Sequence, residues 1–374
     1  MQSSAKIKVT HILTDSNIGG AGRLLRYQLE KADRNKFEYS VILPDDAALI
    51  PEIEALGIPV YTVCGIADRS NAPEAKPALV EIIKKLSPDI LHTHSSRTGR
   101  FAGVEAQVPR IIISKHCSDM PSEKMMKFPI KQIVVREWKK YVHGAIATDD
   151  SAADSLVASG LSRDKIKVIY NGAPALREIS DEEKSALRKE LNIPESAFVV
   201  GIFARLEAVK DHLTLLEAAR RGFYEELGDV YYIIVGEGSN RSRIEFAAED
   251  EMIADKIRIC GFREDIAPLM NICDVNINCS VGTETSNLAL IEGMSLGVVP
   301  VVSDLAGNKR IADGCGIVCR QKRPEEFLRA IKSLRDDREK LSSLSKAAKE
   351  KYNSRYTSER MAREVEEYYL QLMK

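Results

Sequence analysis

The stretch KIKVTHILTDSNIGGAGRLLRYQLEKA, Lys6 to Ala32, reads as three successive pieces of one folding unit. Lys6–Thr14 is dense in β-branched and apolar residues, which suit a buried, pleated surface. Glycines 19, 20 and 22 then punctuate the chain. Beyond them Leu24, Leu25 and Leu29 fall on one face of an amphipathic helix. Strand, glycine turn and helix in that order open an alternating α/β chain.

The rhythm continues outward. Phe37–Pro44, Ile58–Val63, Asp89–Ser96, Arg110–His116 and Gly144–Asp149 read as further strands, mostly separated by helical patterns. Strands that are apolar throughout, rather than alternating, point to a parallel sheet covered on both faces. Between Ile169 and Pro194 the pattern changes: a turn signal, prolines and a charged helix opened by Ser180 or Asp181 mark the passage to a second domain. Phe198–Leu206 restarts the alternation, followed by VYYIIVGEG, IRICGF, VNINCS, VVPVVSD and GIVC. The chain closes on a helix with Met361, Val365 and Tyr369 on one stripe and an N-cap at Thr357 or Ser358. The expected architecture is α/β: two doubly wound domains, their facing strand ends making a ligand cleft.

Composition narrows the class. With 374 residues, 44% apolar, the chain can build two cores, which excludes disorder. A net charge of -1 from 54 basic and 55 acidic residues excludes an electrostatic nucleic-acid binder. There is no 18-residue apolar run, the N-terminus lacks a signal-peptide core, and seven cysteines stand without a CxxC pair. The expectation is a cytoplasmic protein with reduced thiols.

Four groups of residues could carry chemistry. Gly19 and Gly20 would let backbone and a helix N-terminus approach a polar ligand, although the spacing is not the GxGxxG dinucleotide fingerprint. Arg205 and Lys210 follow the first strand of the second domain; together they suit a diphosphate, and standing alone they would read as a solvated loop. In TETSNLALIEGMSLGVVPVV, Glu284 precedes a helix and Glu292 lies inside it. The first amides of that helix, around Ser286 to Leu288, would be open to a phosphate, and the glutamates to sugar hydroxyls. A solvated pair is the competing reading, weakened by the apolar run that follows. His92 and His94 share a strand face and His116 ends the next strand. A metal site there lacks a carboxylate or cysteine at ligand spacing, so His116 reads instead as a polar ring at the carboxyl edge of the sheet.

In order and spacing, NIGGAGR, DILHTHSSRTG, IYNG, GIFARLEAVKD, VGEGSNR, CGFREDIAPLM and the E-x7-E stretch running into GMSLGVVPVVSDLAGNKRI resemble the retaining GT-B glycosyltransferases of family 4, nearly end to end. The resemblance implies two Rossmann-like domains: an acceptor-side domain at 1–175 and a nucleotide-sugar donor domain at 176–355. A C-terminal helix, 356–374, would cross back to the first. It gives Arg205 and Lys210 the leaving diphosphate, Glu284 the transferred sugar and Glu292 the ribose. Backbone at Asn287 and Leu288 takes phosphate, and Phe262 and Arg263 meet the base. Gly19 and Gly20 approach donor or acceptor, and His116 is the active-site histidine. The donor, a UDP-sugar by preference, is a substrate; no metal or other cofactor is implied. Two departures bear on specificity: Thr285-Ser286-Asn287 stands where Gly-Phe-Gly is common, and Gly22 where many relatives carry Glu.

The acceptor implied is a glycan or lipid-linked precursor of cell-surface polysaccharide or glycoconjugate. EKMMKFPIKQIVVREWKKYVHG, with Met125, Met126, Phe128, Ile130, Val134, Val135 and Trp138 among six cations, could rest peripherally on the inner membrane face. An ordinary helix packing its apolar side on the first domain is the plainer reading. The rival functions are a nucleotide-sugar epimerase of the same fold, which needs no acceptor, a glycogen- or sucrose-type synthase, which shares the donor site and differs only in the acceptor, and a non-catalytic nucleotide-sugar binding protein.

Overall fold

The computed structural model describes residues 5–123, 127–225, 227–282 and 287–374. Glu284, with Thr285 and Ser286, and Met125 and Met126 lie outside the described residues. The chain divides into two units, Met1–Ala173 with Ser358–Lys374, and Pro174–Thr357.

Unit 1 is built on seven strands: β1 (Ile7–Leu13), β2 (Phe37–Pro44), β3 (Val60–Val63), β4 (Ile90–His94), β5 (Arg110–Lys115), β6 (Gly144–Ala147) and β7 (Ile166–Val168). Their order is β3-β2-β1-β4-β5-β6-β7, every neighbouring pair parallel. β7 had no counterpart in the sequence pattern, because it is only three residues long and its middle residue, Lys167, is exposed.

Unit 2 repeats the winding with β8 (Phe198–Phe203), β9 (Val230–Val235), β10 (Ile257–Gly261), β11 (Val275–Asn278), β12 (Val299–Ser303) and β13 (Ile317–Cys319), in the order β10-β9-β8-β11-β12-β13. All residues of β8 and β9 are buried, and the period of two divides them between the two faces. Val200, Ile202, Tyr232 and Ile234 join one core layer; Val199, Phe203, Tyr231 and Ile233 join the other. Each sheet reverses its winding once, between β1 and β4 and between β8 and β11. At that point loops from adjacent strands leave towards opposite faces and open a crevice at the carboxyl ends.

The last helix, Ser358–Met373, belongs to unit 1 and buries Met361, Ala362, Val365, Tyr368 and Tyr369. Its polar groups are bonded as well. The Tyr369 hydroxyl lies 2.6 Å from Nδ1 of His92, the Tyr368 hydroxyl donates to the Lys165 carbonyl at 2.8 Å, and Glu366 accepts from the Tyr39 hydroxyl at 2.9 Å. Among the described residues no helix is long and apolar enough to cross a membrane.

Candidate functional site

In unit 2 the candidate residues all follow the carboxyl ends of strands β8, β10 and β11. The loop after β8 carries Arg205, exposed, and Lys210, half-buried at the end of a short 3-10 turn. It is laced to the loop after β9: the Leu206 amide donates to the Glu237 carbonyl and the Asn240 amide to the Leu206 carbonyl, both at 2.8 Å. Glycine is required for this contact. A Cβ at Gly236, where φ is +145°, would sit 2.0 Å from the Ala204 carbonyl oxygen, and one at Gly238 would sit 2.6 Å from that of Leu206. The VGEG motif thus presses two backbones together and fixes the path of the Arg205 loop. The Gly236 amide donates in turn to the Gly261 carbonyl at 2.8 Å, so the loop bearing Phe262 and Arg263, both exposed, is carried on the same edge.

The segment leaving β11 meets the cation loop directly. The Val281 amide donates to the Val209 carbonyl at 2.8 Å, next to Lys210. Asn278 Oδ1 anchors this segment from below, accepting from the Ser280 amide at 3.0 Å and from Asn308 Nδ2 at 2.9 Å, while the Ser303 hydroxyl donates to the Ser280 carbonyl at 2.7 Å. All four residues are buried. Sequence reasoning passed over Asn278, Ser303 and Asn308; the signal was available in VNIN, where two asparagines interrupt an otherwise apolar strand.

The helix after this segment, Leu288–Ser295, is capped by Asn287, whose side-chain oxygen accepts from the Leu290 amide at 3.2 Å. Helix geometry leaves the amides of Leu288 and Ala289 without an intrahelical acceptor, at the positive end of the helix dipole. Glu292 is 1% exposed, which removes the reading of a solvated glutamate at that position. The helix is buried nearly all round: Leu288, Ile291 and Met294 face the core, and so do Leu290, Gly293 and Ser295.

Unit 1 presents Gly19 and Gly20 after β1. Gly19 is the N-cap of the helix Gly20–Glu30, and neither residue has a positive φ. A Cβ on Gly20 would meet open space, so the protein's own packing does not demand glycine there. Asp15, missed in the sequence, stands beside them with its pKa raised, first by burial and then by the charge of Asp68.

His116 stands just beyond β5 and is half-buried. Its Nε2 lies 2.9 Å from Nδ1 of His94, and Nε2 of His94 lies 3.0 Å from Nδ1 of His11, a third ring that sequence reasoning left as an ordinary strand residue. His92 packs beside them, its two nitrogens held by the hydroxyls of Tyr369 at 2.6 Å and Ser114 at 2.8 Å. Burial lowers the pKa of all four, that of His116 to about 4. The rings are therefore neutral at neutral pH. His11, His92 and His94 each bring a ring nitrogen within 4.8 Å of the others, so the metal alternative has three histidines with His11 in place of His116, and still no cysteine or carboxylate in the group. Closing them on an ion would take one nitrogen of each ring, and so break one of the two hydrogen bonds that hold His92 and one of the two that hold His94. In unit 2, His212, adjacent to the Lys210 loop, is buried, and desolvation followed by the charge of Lys210 lowers its pKa to about 4.

The family described as Glycosyl transferases group 1 matches residues 183–351, and Glycosyltransferase Family 4 matches residues 18–175. An Escherichia coli enzyme named UDP-Gal:alpha-D-GlcNAc-diphosphoundecaprenol alpha-1,3-galactosyltransferase is 24% identical over 99% of this chain and 98% of its own. The putative glycosyltransferase EpsF of Bacillus subtilis is 26% identical over 86% and 84%. The crystal structure of Anabaena HepE in complex with UDP and glucose aligns with a TM-score of 0.82 at 20% identity, covering 97% of this chain and 99% of that one. Two Rossmann-like units of this kind define the GT-B fold. Within it, the chain belongs to the family 4, group 1 glycosyltransferases.

Four neutral imidazoles in unit 1, three buried and His116 half-buried, and the buried His212 in unit 2 set a pH dependence. A histidine whose folded pKa lies below its unfolded value, about 6.5, contributes stability that is complete above that value. It is lost as pH falls towards the folded pKa, about 4 for His116 and His212. The unfolding free energy is expected to drop between about pH 6.5 and 4 by about 1.4 kcal/mol per pH unit for each such ring. Urea unfolding at a series of pH values measures this; a midpoint constant from pH 6.5 to 4.5 would contradict it.

Proposed function

We propose that the chain is a retaining, metal-independent hexosyltransferase. It moves a sugar from a nucleotide-sugar, with UDP-sugars favoured, to a glycan or lipid-linked acceptor in cell-surface polysaccharide or glycoconjugate synthesis. The observation that carries this is the hydrogen bond from Val281 to Val209, which brings the chain leading to Glu284 and to the helix at Leu288 against the loop of Arg205 and Lys210. Two cations and a helix N-terminus then serve one diphosphate. Its charge grows as the glycosidic bond breaks, and groups aimed at a developing charge lower the barrier directly. Glu284 takes the transferred sugar and Glu292 the ribose. Phe262 and Arg263 meet the base, Gly19 and Gly20 leave room for a substrate, and His116 acts on the transferred sugar. The names of the relatives agree in kind: the E. coli enzyme's includes a UDP-sugar and a lipid diphosphate, and HepE was crystallised with UDP and glucose.

Lys210→Ala and Arg205→Ala are each expected to lower kcat about 10²–10³-fold, the scale for removing one preorganised charge-stabilising group, with the thermal midpoint little changed. Transfer assays with the purified variants, run with and without acceptor, check this. Wild-type turnover in folded Lys210→Ala would sink the assignment. Donor conversion without acceptor would favour an epimerase, and donor binding without turnover a binding protein.

A peripheral membrane contact is proposed for the segment around the helix Ile130–Tyr141, from which Met125 and Met126 are left out. The plainer reading of that helix, an apolar side packed on the domain, holds only in part. Trp138 joins the core beneath β6 and β7 and Arg100 lies over its ring at 4.5 Å, but no residue of the helix is fully buried. Phe128 is 78% exposed and Ile133 55%, among Lys127, Lys131, Arg136, Lys139 and Lys140. An apolar face flanked by cations suits an anionic bilayer surface. Flotation with anionic vesicles is expected to recover the wild type, and several-fold less of a Phe128→Glu, Ile133→Glu variant. Equal recovery of both, or of neither, would end the proposal.

A further inference from the structure

Asn308 and Gln321, which none of the comparisons assigns, grip the chain where it leaves β11. Asn308 lies on the helix after β12, Ala306–Ala312, and is wholly buried. Gln321 follows β13 and is half-buried. Both are far in sequence from Arg205 and Lys210. The order β8-β11-β12-β13 nevertheless sets the carboxyl ends of these strands side by side.

The orientation of each side-chain amide is settled by groups that can play only one part. A backbone N–H can only donate, so the Asn278 atom 3.0 Å from the Ser280 amide is its oxygen, Oδ1. That oxygen can only accept, so Asn308 turns Nδ2 towards it at 2.9 Å. The same Nδ2 lies 3.2 Å from the Ser303 hydroxyl, whose proton goes to the Ser280 carbonyl at 2.7 Å. The NH₂ group of Asn308 thus serves both groups that hold Ser280, one at its amide and one at its carbonyl. Its own Oδ1 is left buried with no hydrogen-bond partner among the described residues, a costly defect that reversing the amide would only worsen.

Gln321 follows the same logic. Asp304, whose pKa is lowered first by its hydrogen bond with Gln321, accepts from Gln321 Nε2 at 3.1 Å and from the Gln321 backbone amide at 3.2 Å. Oε1 is therefore turned the other way, where it accepts from the Gly282 amide at 3.3 Å. Gly282 has a φ of +89° and is a residue that its own backbone confines little, so this bond limits a turn that would otherwise be loose.

Between the two grips stands Val281, whose amide holds the Val209 carbonyl at 2.8 Å, one residue before Lys210. We propose that Asn308 and Gln321 are positioning residues for the donor diphosphate: they fix Ser280 and Gly282 on either side of Val281, and through Val281 the loop that carries Lys210. This rests on the assignment of Lys210 to the diphosphate, made above. Neither side chain has to touch the donor.

The test uses the full chain with UDP as the probe. Gln321→Ala removes the acceptor for Gly282 and leaves the core intact. Asn308→Asp keeps the shape, but removes both N–H bonds and sets a carboxylate against Asn278 Oδ1. In calorimetric titration Gln321→Ala is expected to weaken UDP binding about three- to tenfold, one hydrogen bond's worth, and folded Asn308→Asp about tenfold or more. Amide hydrogen exchange reads the grip itself. Exchange at Val281 and Gly282 should be about tenfold faster in Gln321→Ala, with β8 and β11 unchanged. Because the effect passes through Lys210, Gln321→Ala added to Lys210→Ala should weaken UDP no further than Lys210→Ala alone. Additive losses would overturn the proposal, as would wild-type UDP affinity or unchanged exchange at Val281 and Gly282 in Gln321→Ala. Should Asn308→Asp fail to fold, Gln321→Ala decides alone. Should Lys210→Ala bind UDP as the wild type does, the donor assignment fails and the positioning role with it, while the exchange rates still show whether Gln321 holds the segment.

Discussion

The hydrogen bond from the Val281 amide to the Val209 carbonyl closes unit 2 where its winding reverses, and the account of the donor site depends on it. In a doubly wound sheet the loops after β8 and β11 head for helices on opposite faces and would otherwise diverge. Here they are joined at 2.8 Å, and the joint is held from both sides. On one side Gly236 and Gly238 admit the neighbouring backbone to distances that no side chain would allow. On the other, Asn278, Ser280, Ser303 and Asn308 form a buried polar cluster linked by hydrogen bonds of 2.7–3.0 Å. Polar groups that costly to bury specify one loop path when they are bonded to each other. A loop fixed in advance can hold cations where charge will develop, without rearranging during the reaction.

Unit 1 uses the same device with different chemistry. Its sheet places a row of imidazoles beneath the carboxyl edge, and the last helix of the chain covers them, with Tyr369 in contact with His92. Burial keeps these rings neutral, which is the condition for a chain of N–H···N bonds. A charged ring would have two donors and would break the pattern. The terminal helix therefore completes a polar assembly as well as an apolar core.

The strands were legible because fully buried parallel strands are continuous apolar runs, and the order of elements followed from their alternation with helices. β7 escaped because three residues with an exposed Lys167 make no run. Glu292 could be placed in a helix from its spacing, but its burial could not be deduced, since a helix enclosed on nearly all sides has no polar face to mark. His11 was invisible as a member of the imidazole row for a related reason. Within KIKVTHILT it is one strand residue among others, and its partner His94 stands 83 positions away, reachable only once β1 and β4 are known to be neighbours. Asn308 belongs to the same class: its meaning lies in Asn278, thirty residues earlier. Glu284 lies outside the described residues, so its role stands on the sequence motif alone.

The most direct test of the donor site is calorimetric titration of the purified chain with UDP, GDP and ADP, repeated on Lys210→Ala. Excess nucleotide at about 100 times its dissociation constant would also stabilise the native state by about 2.7 kcal/mol, giving an independent thermal reading. Saturable binding of UDP in preference to the other two, weakened at least tenfold by Lys210→Ala, is the result the account predicts. No binding of any nucleoside diphosphate, or equal affinity in the variant, would contradict a diphosphate held by the joined loops.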